Sequence, residues 1–92
     1  MAKIIRLRVL TNQGLAVSDE TVSIRVPGGL GSMGILYNHA PLVTTLTPGK
    51  LVWRRPDGTT RELEIGEGLM EVAHNRCTIL TNTLRELGVA AQ

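Results

Sequence analysis

The sequence predicts an all-β domain, an antiparallel sandwich or barrel, on three observations. Apolar and polar residues alternate in short stretches, glycine, proline and asparagine turns separate those stretches at regular intervals, and prolines and β-branched residues interrupt the places where a long helix would have to run. At 92 residues the chain makes one domain with a modest core, and that core is almost wholly aliphatic, since Trp53 and Tyr37 are the two aromatic residues.

The elements follow in order. Ile5, Leu7 and Val9 alternate with Arg6 and Arg8 to make a first strand, which Thr11-Asn12-Gln13-Gly14 turns into a short edge segment, Leu15 to Val17. Glu20 to Val26 alternates Val22, Ile24 and Val26 with polar partners and reads as one strand. The glycine-rich stretch Val26 to Gly34 comes next, then a short apolar piece to Leu36, and a strand over Leu42 to Leu46 that Pro48-Gly49 ends. Lys50 to Arg55 and Thr60 to Ile65 flank Pro56-Asp57-Gly58, a hairpin signal that directs Leu63 and Ile65 inward. Leu69 to Ala73 and Arg76 to Leu80 flank a turn at His74-Asn75. Thr83-Leu84-Arg85-Glu86 has the order of a helix capping box, so the tail is read as at most a short helical stub, with a boundary between a β-domain at 1–83 and a tail at 84–92.

Composition and motifs exclude several function classes. The formal charge is only +2 with dispersed arginines, and stacking aromatics are scarce, which argues against nucleic-acid binding. Cys77 is alone, so no intrachain disulfide forms and a cytosolic setting fits. No apolar run reaches the length of a spanning helix. Gly29, Gly31 and Gly34 have the spacing of a dinucleotide fingerprint, but Pro41, Pro48 and the β-branched Val43 to Thr45 leave no place for the helix that the fingerprint requires. A tight loop is the better reading of these glycines. Glu62 and Glu64 share a strand face and read as a solvated stripe, His74 and Cys77 supply too few ligands for a zinc site, and no serine sits in a nucleophile elbow. No cofactor or metal is expected.

Val26-Pro27-Gly28, Gly31-Ser32-Met33-Gly34-Ile35-Leu36, His39-Ala40-Pro41-Leu42-Val43, Pro48-Gly49, Gly66-Glu67-Gly68 and Glu71-Val72 together resemble the epsilon subunit of F-type ATP synthases over about Ile5 to Thr83. The resemblance implies a flattened β-sandwich at the foot of the central stalk, a non-catalytic rotor subunit between the gamma subunit and the membrane c-ring. It implies that Gly29, Leu30, Gly31, Ser32 and Met33 face the c-ring and that His39, Ala40, Pro41 and Leu42 face gamma. It further implies a peripheral location on the cytoplasmic face of a bacterial membrane, or the equivalent organellar side, and coupling of proton or sodium flow to ATP synthesis. The family commonly has an acidic residue where Ser32 stands and Pro-Gly where Tyr37-Asn38 stands, so a charge contact with the ring does not transfer. Most members continue into two C-terminal helices that inhibit hydrolysis and in some bacteria bind ATP. This chain, a naturally short form or a piece cut at the domain boundary, is expected to have neither property. The alternative reading is a free-standing β-sandwich that binds a ligand or glycan, for which Trp53 and Tyr37 are the available platforms.

Overall fold

A computed structural model describes residues 3–90 of the chain. Ten strands follow one another: β1 (Ile5–Thr11), β2 (Gly14–Thr21), β3 (Ser23–Gly28), β4 (Gly31–Ile35), β5 (Leu42–Leu46), β6 (Gly49–Arg54), β7 (Thr60–Ile65), β8 (Gly68–Ala73), β9 (Arg76–Thr81) and β10 (Leu84–Ala90). They form two five-stranded sheets, one ordered β2-β1-β9-β8-β5 and the other β10-β7-β6-β3-β4. The period of two carries the core. Ile5, Leu7 and Val9 of β1, Met70 and Val72 of β8 and Cys77 and Ile79 of β9 face Ile24 and Val26 of β3, Leu51 and Trp53 of β6 and Leu63 and Ile65 of β7, and all are buried.

Turn chemistry fixes the register. His74 and Asn75 both take positive φ (52° and 59°), the mirror-image turn whose twist suits a two-residue hairpin, and they join β8 to β9. At the β6–β7 turn, Gly58 takes φ 91° and donates to the Arg55 carbonyl. The Thr59 hydroxyl and amide both donate to Asp57 Oδ1, which holds that carboxyl below its ordinary value.

Three features differ from the sequence expectation. β1 and β9 pair in parallel, Arg6 opposite Arg76 through Leu10 opposite Leu80, because the chain returns to the first sheet after building most of the second. The alternating run through Val26 is split at Val22. There the chain leaves one sheet for the other: Thr21 Oγ1 donates to the Ile5 carbonyl on the first, and the Val22 amide donates to the Arg54 carbonyl on the second.

The third difference is a correction. In place of a helical stub, Leu84–Ala90 is an edge strand antiparallel to β7, with Leu84 opposite Ile65 and Arg85 opposite Glu64. A capping box alone stabilises a helix by about 1 kcal/mol, whereas the open edge of β7 offers this segment a full set of backbone partners. Strand geometry also turns Leu84 toward the core and aligns Arg85 with Glu64 and Glu86 with Arg61 across the pair. Ala91 and Gln92 of the expected tail lie outside the described residues.

Candidate protein-interaction site

The glycine stretch is a β-hairpin. β3 and β4 pair from Ile24 opposite Ile35 to Gly28 opposite Gly31, leaving Gly29 and Leu30 as the tip. Gly31 closes the turn at φ 117°, a conformation that glycine adopts without strain. A Cβ on Gly28 would lie 3.0 Å from the Gly31 carbonyl oxygen, so the strands meet closely at this point. No helix follows, so the amide cradle of a dinucleotide site is not built here. The five residues that the sequence groups at this loop separate into roles. Leu30 stands fully exposed at the tip (107%), Ser32 faces outward and accepts from Arg25 Nη1 at 3.1 Å, and Met33 turns back onto the core.

His39, Ala40, Pro41 and Leu42 run into β5 from a turn in which the His39 amide donates to the Leu36 carbonyl and Asn38 takes φ 65°. His39 Nδ1 lies 2.7 Å from the Ala40 carbonyl, a contact that needs the proton on Nδ1 because the carbonyl only accepts. What steadies this turn is a residue far along the chain. Asn38 and Asn75 bond reciprocally, the Asn38 amide to Asn75 Oδ1 at 2.6 Å and Asn75 Nδ2 to Asn38 Oδ1 at 3.2 Å, which ties the connection to the β8–β9 turn. β4 leads away from the hairpin tip and β5 leads back to Thr47, whose amide donates to the Pro27 carbonyl. The tip and the His39 turn therefore lie at opposite ends of these strands.

The two outer faces differ in chemistry. On the second sheet, Lys50 pairs with Glu62 at 3.6 Å and Arg85 with Glu64, the dress of a solvated face. On the first, cross-strand register sets Leu15 beside Leu10, Leu10 beside Leu80 and Leu80 beside Leu69. Leu15, Leu80 and Leu69 are 55%, 48% and 41% exposed, so a leucine row crosses four strands, about 14 Å at ordinary strand spacing, in the open. Sequence reasoning missed it because these leucines come from four strands, and only the register brings them together.

The remaining sequence candidates do not converge. Glu62 and Glu64 are committed to ion pairs, His74 sits in an exposed turn, and Cys77 faces the core. Trp53, a platform for the glycan alternative, is 1% exposed, and its indole Nε1 donates to Asp19 Oδ2 at 2.9 Å. Burial pushes the Cys77 thiol up to about 12 from its ordinary 9.0. Its folded-state value is raised, so the stability held by the neutral thiol is complete below 9.0 and is lost as pH rises from there toward 12. A disulfide reagent at pH 8 is accordingly expected to leave Cys77 unmodified in the native protein and to titrate one thiol in denaturant. Stoichiometric labelling of the native form within minutes would contradict that burial.

Comparison with known proteins gives a consistent picture. Residues 4–86 match the family of the ATP synthase delta/epsilon chain, beta-sandwich domain. The chain is similar to the ATP synthase epsilon chain of Desulfosudis oleivorans, 36% identical over 83 residues (90% of this chain, 62% of the relative), and to that of a Roseiflexus species, 42% identical over 79 residues (86% and 56%). It thus spans about three fifths of the length of these curated relatives. In fold it resembles a chain in the cryo-EM structure of the Euglena gracilis mitochondrial ATP synthase, with TM-score 0.86 and 22% identity over 95% of this chain and 56% of that one. It also resembles a chain of the Tetrahymena thermophila mitochondrial ATP synthase central stalk and c-ring, with TM-score 0.74 and 18% identity over 92% and 67%. With the ten-strand sandwich and the matched span in agreement, the chain belongs to the ATP synthase delta/epsilon chain beta-sandwich family.

Proposed function

We propose that the chain is a non-catalytic rotor subunit of an F-type ATP synthase, joining the gamma subunit to the c-ring so that ion flow and ATP synthesis stay coupled. The observation that carries this reading is the separation of two turns, the Leu30 tip and the His39 turn, at opposite ends of β4 and β5 within a domain of this family. A linker between two partners needs such a pair of ends. The tip would meet the ring through backbone shape and the apolar Leu30, since Ser32 brings no charge. His39 to Leu42 would meet gamma, where burying exposed apolar surface is worth about 25 cal/mol per Å². No helix of the described residues is long and apolar enough to cross a membrane, and the subunit would reach the cytoplasmic face, or its organellar equivalent, through the complex.

Leu30 gives the cleanest test, because its side chain serves no contact within the fold, whereas Met33 packs on the core and would confound stability with binding. In a synthase reconstituted with Leu30→Glu, ATP-driven ion pumping is expected to fall at least tenfold relative to hydrolysis, with gamma binding and the melting temperature unchanged. Full pumping with Leu30→Glu would remove the tip from the ring interface.

A further inference from the structure

The four sheet edges are not treated alike. β2 carries Asp19 and Glu20 and a register shift against β1, β10 carries Arg85 and Glu86 and a shift against β7, and β4 contains Gly31 and Gly34. Each of these devices blunts an edge against further pairing. β5, Leu42-Val43-Thr44-Thr45-Leu46, has none of them: no charge, no glycine, no proline inside it and a regular ladder with β8. Its residues are β-branched or apolar, and Val43 is 63% exposed. In an antiparallel strand the backbone groups of alternate residues point to opposite sides, so β8 takes one set and the other set faces outward. Among the described residues no backbone group bonds to that outward set.

We infer that the outer edge of β5 is a strand-addition site, where an extended segment of the gamma subunit pairs as a sixth strand of the first sheet. The assignment of the occupant rests on the function proposed above. Leu42 belongs both to the gamma-facing segment and to β5, so the edge continues that surface without a break. Affinity would come from main-chain hydrogen bonds, with Val43 and Thr45 offering side-chain selectivity on the outer face.

The test has two readouts. Hydrogen exchange at single-residue resolution, with and without the gamma subunit of the same organism, is expected to show the outward amides of β5 slowed at least tenfold on binding. Proline placed at Val43 and, separately, at Thr44 removes one outward and one inward amide. The outward variant is expected to keep its melting temperature and lose at least tenfold in gamma affinity, while Val43→Thr, which leaves the backbone intact and alters only a side-chain contact, loses less affinity than the proline variant. If gamma binds but neither the exchange nor the affinity of the folded proline variant changes, strand addition is overturned and the stalk function stands. If the wild-type chain does not bind gamma at all, the stalk function itself falls and takes this inference with it. Protection that arises without gamma and grows with protein concentration would give the edge to a second copy of the chain and overturn the heterologous pairing.

Discussion

Trp53→Ala is expected to destabilise the domain by about 3–5 kcal/mol, the largest loss of any single substitution proposed for this chain. The ring is 1% exposed in the middle of the second sheet, where it is the largest of the fully buried side chains. Removing it leaves a cavity that neighbours on two strands cannot close, and a cavity adds to the lost transfer free energy. Two polar groups each lose a contact with it. Asp19 Oδ2, which accepts from Trp53 Nε1 at 2.9 Å, keeps only the Arg55 Nε contact at 3.3 Å, and the Arg61 guanidinium, 5.8 Å from the ring centroid, loses the aromatic face beneath it. Since domains of this size have about 5–15 kcal/mol in all, the variant would stand near the folding threshold. Urea denaturation followed by far-ultraviolet circular dichroism measures this directly, because Trp53 is the chain's sole tryptophan and its fluorescence is lost with it. Trp53→Phe separates the contributions. It restores most of the ring volume but not the donor, and is expected to recover more than half of the loss. A decrease below about 1 kcal/mol for the alanine variant would mean that the site collapses without a cavity.

The reach and the limits of the sequence are visible in these same residues. The alternation of Leu51 and Trp53, of Leu63 and Ile65, and of Ile5, Leu7 and Val9 marks core faces that the structure buries. Turn residues located the ends of the strands because turn chemistry is read from adjacent residues: Gly58 and the His74-Asn75 pair take the positive φ of tight turns. What was illegible is what depends on pairing. Nothing local in Val22 says that the chain changes sheets there, and nothing in Asn38 names Asn75, 37 residues away, as its partner. The leucine row exists only through the registers of three strand pairs. Leu84 to Glu86 shows the opposite failure. Its local signal was clear and pointed to a helix, but the unfilled edge of β7 outweighed a capping preference worth about 1 kcal/mol. The resemblance to a family pointed to the segments proposed as interfaces, and side-chain geometry separates Leu30, fully exposed at the tip, from Met33, which packs on the core.

Three glycines allow a second large effect to be predicted with its own internal controls. A Cβ added to Gly68 would lie 2.5 Å from the Leu80 carbonyl oxygen and 3.4 Å from Thr81 Cβ. The first is backbone of β9, a strand paired on both sides, and it cannot yield without disturbing the ladder with β1 or with β8. The strain would also fall on Thr81, which is 6% exposed and donates from Oγ1 to the Glu67 carbonyl at 2.9 Å. Gly68→Val is therefore expected to cost about 1–3 kcal/mol through overpacking, with about 1 kcal/mol more from the strained Thr81 hydrogen bond. Gly29 and Gly31 test the two components apart. Neither has an atom within 4 Å of an added Cβ, but Gly31 holds φ 117° while Gly29 does not take positive φ. Gly31→Ala should thus lose about 1–2 kcal/mol to backbone strain alone, and Gly29→Ala should stay within about 0.5 kcal/mol of wild type. Thermal unfolding resolves the series, at about 4–8 °C per kcal/mol for a domain of this size. The expected order of melting temperatures is Gly29→Ala, then Gly31→Ala, then Gly68→Val. A Gly68→Val protein that melts with the wild type would show that β8 and β9 can separate locally at no cost, and the close approach there would then explain nothing about the fold.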